Sequence, residues 1–287
     1  MAEVAGSNPA EPIFNISNDS IEKYLDIIRI SGVTEKHIKE VRRALKSYQK
    51  YILFEFDYNK TIEYFNFLRE HYSISYFKKQ TYQIKKFLKQ NGVDWIQNIK
   101  LPQEQNMQPK RVTIEDICSA LDLFKKDTNY KRIRALILLG FTSGLRAEEI
   151  YKLNPKDIDL DNRTVYVIHD SNPQNNHTTK TKKSRISFFN LEAQKALRDI
   201  IHEIEENCTI FPQSTFTKKF RNSKIKVKDL RKAFSQQWTR RNGNTQIKKI
   251  LMGHSIRNDV DLNHYNYQSQ EDLKKIYDEV FGDLKIT

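Results

Sequence analysis

Cysteine is scarce in this chain: Cys118 and Cys208 are its only two, far apart and outside any CxxC or Cys/His cluster. That spacing excludes a disulfide framework and a zinc-finger ligand set. Long apolar runs are missing as well. Nothing approaches the roughly 18 consecutive apolar residues of a membrane span, and the opening MAEVAGSNPAEP has no basic-then-apolar signal pattern. No internal repeat recurs along the chain. These absences point to a protein of the reducing cytoplasm with no membrane partner and no metal site.

Positive charge is abundant instead. With 49 Lys+Arg against 36 Asp+Glu, the formal net charge is +13. Release of phosphate counterions would drive such a chain onto a polyanion, and nucleic acid is the first candidate. Its 287 residues, 38% apolar and 11% aromatic, are enough for two domains with real cores.

Hydrophobic spacing predicts helices from the first dozen residues to about Trp95. Ile21, Tyr24, Leu25 and Ile28 make one stripe; Ile38, Val41, Leu45, Tyr48 and Ile52 make a second, behind a Thr34 N-cap. Two further helices fall near 60–72 and 75–91. The fourth interleaves Lys78, Lys79, Lys85, Lys86 and Lys89 with Tyr76, Phe77, Tyr82 and Phe87. This is either a solvated face or a DNA-gripping one. Residues 98–111 contain two prolines and no apolar period, and read as a linker ending at Arg111.

Beyond it, Thr113 with Asp116 approximates a capping box, and IRALILLGF (133–141) is a buried helix closed by Ser143-Gly144. RTVYVI (163–168) and RISFF (185–189) read as strands of a small antiparallel sheet. Everything after Leu191 looks helical, ending in EDLKKIYDEVF, which either packs in cis or docks on a neighbour. The expected fold class is mainly α with a small antiparallel β-sheet. The expected division is a flexible tail (1–14), a helical core DNA-binding domain (15–97), a linker (98–111) and a catalytic domain (112–287).

Three stretches carry chemistry. In SGLRAEEIYKL (143–153) Gly144 ends one helix and Arg146 opens the next, where backbone N–H groups and the helix dipole also favour an anion. In VKDLRKAF (227–234) Lys228 and Arg231 share a helix face. In ILMGHSIRNDVDLNHYNYQ (250–268) an apolar turn ends in Gly253-His254, and Tyr265 and Tyr267 follow. None of the three is specific alone.

Together, and in this order, they resemble the tyrosine recombinase (phage integrase) family. Its catalytic domain carries an arginine in a (T/S)GLRxxE(L/I) box, a lysine in a β-hairpin, HxxR on a helix, LGH at a helix end, and then a tyrosine. Ser143-Gly144-Leu145-Arg146 and Glu149-Ile150 match the first box almost letter for letter, and Arg231 and His254 lie 23 residues apart. The resemblance covers residues 112–287, and the helical N-domain matches the family's core-binding domain in size and position.

The resemblance implies strand cleavage through a 3′-phosphotyrosine, with Arg146 and Arg231 on the nonbridging oxygens. A hairpin lysine would protonate the departing 5′ oxygen. HTTKTKKSRISFF offers Lys180, Lys182 and Lys183, of which family spacing selects Lys180. His254 would donate to a phosphate oxygen, and Glu149 would orient its neighbours. Lys78, Lys79, Lys85, Lys86 and Arg111 are the candidate DNA contacts. Aligning DLNHY with the family's TTxxY makes Tyr265 the nucleophile and Tyr267 a packing residue. Neither ATP, a metal nor any other cofactor is implied, because the phosphotyrosine stores the bond energy. The partners implied are double-stranded DNA with specific attachment sites and three more copies of the chain, as a homotetramer on DNA.

Two departures stand out. Lys228 occupies the usual HxxR histidine, a pattern similar to archaeal, fusellovirus-like integrases, and lysine cannot act as a base near neutral pH without a strongly lowered pKa. Tyr265 also lies 11 residues after His254, slightly further than usual. Gly6-Ser7-Asn8-Pro9 is what a tRNA T-arm would encode, so the tail is readable as a translated attachment site within a tRNA gene. The rival readings are a type IB topoisomerase-like enzyme and a catalytically decayed DNA-binding protein.

Overall fold

The computed structural model describes residues 15–103, 108–169, 183–254 and 268–286. The chain divides into two compact units, Met1–Gln108 and Pro109–Thr287. Helices dominate both, and among the described residues a three-stranded antiparallel sheet lies in the second.

Among the described residues the first unit holds four α-helices, α1 (Asn18–Ile30), α2 (Glu35–Tyr51), α3 (Tyr58–His71) and α4 (Ile74–Gln90), followed by a 3-10 turn at Asp94–Asn98. Each starts where a short polar side chain can take an orphan backbone N–H. Ser17, Thr34, Asp57 and Ser73 accept from the backbone N–H of Ser20, His37, Lys60 and Tyr76 respectively. The predicted stripes then face one another: Ile21, Leu25, Ile38, Val41, Leu45, Tyr48, Ile84, Phe87 and Leu88 are buried together. Ile99 and Leu101, inside the stretch read as linker, pack against this core.

The second unit begins with α5 (Ile114–Phe124), whose Thr113–Asp116 capping box is formed on both sides. α6 (Tyr130–Ser143) is the central helix: Ile133 and every residue from Ala135 to Ser143 are buried. It lies against α8 (Leu191–Ile201) and α10 (Val227–Arg240), with α7 (Ala147–Ile150), α9 (Gln213–Lys219) and α11 (Thr245–Met252) around them. The sheet runs β1 (Ile158–Asp159), β2 (Thr164–Val167), β3 (Arg185–Phe188), with Val165 opposite both Ile158 and Ser187.

Three details differ from the sequence reading. The strands are shorter than 163–168 and 185–189, and β1 was missed because two residues carry no alternation signal. Residues 202–212, after α8, are turns and extended chain rather than helix. The final helix, α12 (Gln270–Tyr277), gives way to a π-helical turn at Asp278–Gly282.

That final segment packs in cis. Tyr277 and Phe281 are fully buried; Phe281 stacks on Trp238, and the Tyr277 ring meets it at a tilt. Asn190 Nδ2 donates to the Leu284 carbonyl at 2.9 Å, and the Ile286 N–H donates to Glu192 at 2.9 Å. No helix among the described residues is long and apolar enough to cross a membrane.

Candidate active site

The C-terminal end of α6 exposes carbonyls with no partner inside the helix. Three side chains from three other elements supply them. Tyr277 O–H donates to Thr142 O at 2.9 Å, Ser187 Oγ to Ser143 O at 2.7 Å, and Arg231 Nη1 to Gly144 O at 2.7 Å. Gly144 adopts φ +66°, and a Cβ there would lie 2.5 Å from the Phe234 ring. Only glycine both turns left-handed and lets α10 approach this closely. The same contact that packs α10 therefore delivers Arg231 to the turn.

Arg146 follows that turn as the N-cap of α7. With only four residues, α7 has little dipole, and the Arg146 backbone N–H is taken by Glu149 at 2.7 Å. The anion-attracting charge here is thus the guanidinium, without the added help of the helix end that the sequence suggested. Arg146 Nη1 donates to Glu149 Oε1 at 2.8 Å and Nη2 to the Gly253 carbonyl at 3.0 Å. Three of its five N–H groups remain uncommitted by these contacts.

Gly253 ends α11 with φ +63°, and the His254 N–H closes back onto Lys249 O at 2.9 Å. Arg146 thereby joins the first motif to the third. His254 is exposed as a residue, yet desolvation of its ring and then the charges of Arg231, Arg146, Lys248 and Arg185 push its pKa below the ordinary 6.5. Burial, then the like charge of Arg146, pushes Arg231 down to about 10, still fully cationic at neutral pH.

Arg185 is the member that sequence reading missed. It served there only to mark the start of a strand. Its side chain is 9% exposed; Nη1 and Nη2 donate to the two Glu149 oxygens at 3.0 and 2.7 Å, and Nε donates to Leu251 O at 3.1 Å. Burial alone would raise the Glu149 carboxyl, and the Arg185 and Arg146 guanidinia overturn this and hold it below the usual glutamate range. A strand-opening arginine offers no local sign of such a role.

The structure thus brings Arg146, Glu149, Arg231 and His254 together, with Arg185 among them. Lys228 is exposed on α10, one turn before Arg231. Lys180, Lys182, His264, Tyr265 and Tyr267 lie outside the described residues, as does the 1–14 tail. Among the described residues no cluster of three or more His, Cys, Asp or Glu side chains could hold a metal ion.

Residues 110–276 match the phage integrase family. The chain belongs to that family.

Among its relatives is the tyrosine recombinase XerC of Psychromonas ingrahamii, 24% identical over 202 residues, which are 63% of this chain and 64% of the relative. The chain therefore spans slightly under two thirds of that relative's length. Of solved structures, the Tn1549 transposon integrase in complex with a circular intermediate DNA matches with a TM-score of 0.65 at 17% identity, over 89% of this chain and 98% of that one. A lambda integrase dimer bound to a core site matches with a TM-score of 0.66 at 10% identity, over 88% and 98%. These likenesses establish the fold, mainly α with a small antiparallel sheet.

In this integrase-family chain several lysines of α4 make contacts within the first unit. Lys79 forms a salt bridge with Glu40, and Lys85 Nζ donates to the Ile99 carbonyl. Lys89 donates to Gln97 at 2.9 Å, and Lys86 sits over the Tyr82 ring at 4.6 Å. Much of the α4 lysine face is engaged inside the unit. On α2, by contrast, Lys36, Lys39, Arg43, Lys46 and Lys50 recur at alternating intervals of three and four residues, all exposed, and none forms a salt bridge with a described residue. Arg111 is exposed at the start of the second unit.

Proposed function

We propose that this integrase-family protein is a site-specific DNA recombinase that cuts and rejoins strands through a 3′-phosphotyrosine. The observation that carries the reading is the pair of guanidinia, Arg146 and Arg231. Each is fixed to a helix-end carbonyl by one hydrogen bond and retains other N–H donors for an anion. Two such groups suit a phosphodiester whose nonbridging oxygens gain charge during in-line attack.

The Tyr265 phenol oxygen, its proton released to solvent, attacks phosphorus, and the bond to the 5′ oxygen breaks. Lys180 gives its proton to that leaving oxygen, and His254 donates a hydrogen bond to a nonbridging oxygen. The free 5′ hydroxyl of another strand reverses the sequence, so the phosphoryl bond energy is retained without ATP. Lys228 replaces the usual histidine as a hydrogen-bond donor to phosphate. Residues 15–97 serve as the core DNA-binding domain and 112–287 as the catalytic domain, joined by the 98–111 linker. Four protomers exchange strands between two duplexes in the cytoplasm of a host cell.

The element served is read as an archaeal, fusellovirus-like virus or plasmid, on the strength of Lys228. Its attachment site is read as a tRNA gene overlapping the codons for Gly6-Ser7-Asn8-Pro9; codons that spell no T-arm would remove that part.

A nicked suicide duplex carrying the attachment site tests the chemistry. The wild-type chain and Tyr267→Phe should become covalently linked to DNA, and Tyr265→Phe should not. An adduct in both variants overturns the assignment. Relaxation of any supercoiled circle, without exchange between two defined sites, would replace recombination by topoisomerase activity.

A further inference from the structure

Glu149 accepts four hydrogen bonds, two from Arg146 and two from Arg185, and its side chain is 7% exposed. A buried carboxylate with one cationic partner would hold that partner tightly, since an unpaired buried charge is costly. Arg185 supplies the second cation and engages both oxygens, which leaves Arg146 tied to Glu149 by only one of its side-chain N–H groups. Without Arg185, the carboxylate would have Arg146 as its one hydrogen-bond partner among the described residues and would draw more of that guanidinium away from an incoming anion.

The geometry around Gly253 shows how closely Arg185 is built in. A Cβ on Gly253 would lie 2.6 Å from Arg185 Cδ and 2.7 Å from Nε. The glycine before His254 is thus required twice, once by its left-handed turn and once by the arginine passing beneath it. Arg185 Nε holds Leu251 O while Arg146 Nη2 holds Gly253 O, so the two arginines cap the same helix end two residues apart.

We infer that Arg185 is a positioning residue for Arg146: it satisfies Glu149 so that Arg146 keeps donors free for the DNA phosphate. The inference rests on Arg146 being a phosphate ligand, and it assigns Arg185 no contact with DNA.

A double-mutant cycle separates this role from a simple contribution of positive charge. Arg185→Gln, Glu149→Gln, the double variant and Arg185→Lys are compared with wild type. Two quantities are measured on chains checked for folding by melting: affinity for inorganic sulfate as a phosphodiester probe, and adduct formation on the suicide duplex at saturating DNA. Arg185→Gln should weaken sulfate binding and slow the adduct roughly tenfold each, the worth of one charge-assisted hydrogen bond. The double variant should be no worse than Arg185→Gln alone, because the carboxylate that would recapture Arg146 is gone. Arg185→Lys, which cannot span both oxygens, should fall between wild type and Arg185→Gln.

Additive losses in the double variant would mean that Arg185 acts directly on the anion, and they overturn the inference. So would an unchanged Arg185→Gln. Wild type that binds sulfate but forms no adduct would defeat the recombinase reading and leave the positioning role standing if the cycle is non-additive in sulfate affinity. No sulfate binding lost on Arg146→Ala would remove Arg146 as an anion ligand and the inference with it.

Discussion

Arg146 and Gly253, 107 residues apart in sequence, are joined by a hydrogen bond of 3.0 Å from the guanidinium to the carbonyl. The residue that opens one motif thus caps the helix that ends in another, and His254 is the next residue along. A guanidinium is suited to this because it can cap a carbonyl, pair with Glu149 and still present N–H groups elsewhere.

Arg146→Lys follows from this relationship. An ammonium keeps the charge but has no planar fork, so it cannot hold Glu149 and Gly253 O together while also serving phosphate. Adduct formation on the suicide duplex should fall roughly a hundredfold, the usual cost of one preorganised donor. Affinity for uncleaved duplex should change little, since most of that comes from other phosphate contacts. Equal losses in binding and in the cleavage rate would contradict the assignment.

The pH behaviour of His254 gives a second test. Its pKa lies below the ordinary 6.5, through desolvation and then the cationic charges around it. The unfolded chain therefore binds a proton that the folded one resists, and stability contributed at higher pH is lost as pH falls from 6.5 through the folded value. An anion held by Arg146 and Arg231 offsets those charges and must raise the pKa by linkage. NMR titration of the ring should place the midpoint under 6.5 in the free protein and higher with sulfate. A midpoint indifferent to sulfate would separate His254 from the anion site.

Asp229 sits between the two α10 cations of the motif, Lys228 and Arg231, but faces inward with a side chain 3% exposed. Burial would raise its carboxyl, yet Lys110 and Lys232, each at 2.9 Å, and the Lys226 N–H bring it down to about 2 from 3.8. Its contribution is present in full above pH 3.8 and is lost as pH falls toward 2, an amount of about 2 kcal/mol. Asp229→Asn should therefore lower the melting temperature by roughly 5 °C at pH 7 and flatten the acid limb of the stability curve. The Lys110–Val112 strap, which Gln236 also holds by hydrogen bonds of 2.9 and 2.8 Å, should become more susceptible to proteolysis.

These tests also mark what was legible in the sequence. Local signals sufficed for α2 behind Thr34, for the Thr113 capping box and for the helix end at Gly144, because each depends on residues within a turn of one another. The ordered motifs located Arg146, Arg231 and His254 without showing what held them. Arg185 was not legible: its partner Glu149 is 36 residues away, and only the meeting of β3 with α7 and α11 makes it necessary. The engagement of Lys79 and Lys85 was hidden for the same reason, since Glu40 and Ile99 come from other segments. The cationic stripe of α2 was present in the spacing, but nothing in one sequence distinguishes a bare lysine from a paired one.

That stripe makes the last prediction. A helix presenting five exposed cations along one face offers several contacts to a phosphate backbone, and each phosphate neutralised steepens the salt dependence of binding by about 0.9 in the log–log slope. Lys39→Glu with Arg43→Glu should therefore weaken binding to any duplex, specific or not, and shallow the slope by roughly 2. Lys85→Gln should act differently. It removes the ammonium that satisfies Ile99 O, so its main effect should be a lower melting temperature, with the salt slope nearly unchanged. Measuring both quantities for both variants separates the two helices. A Lys85→Gln slope as shallow as that of the α2 double variant would return the DNA contact to α4, where the lysine-rich sequence first placed it.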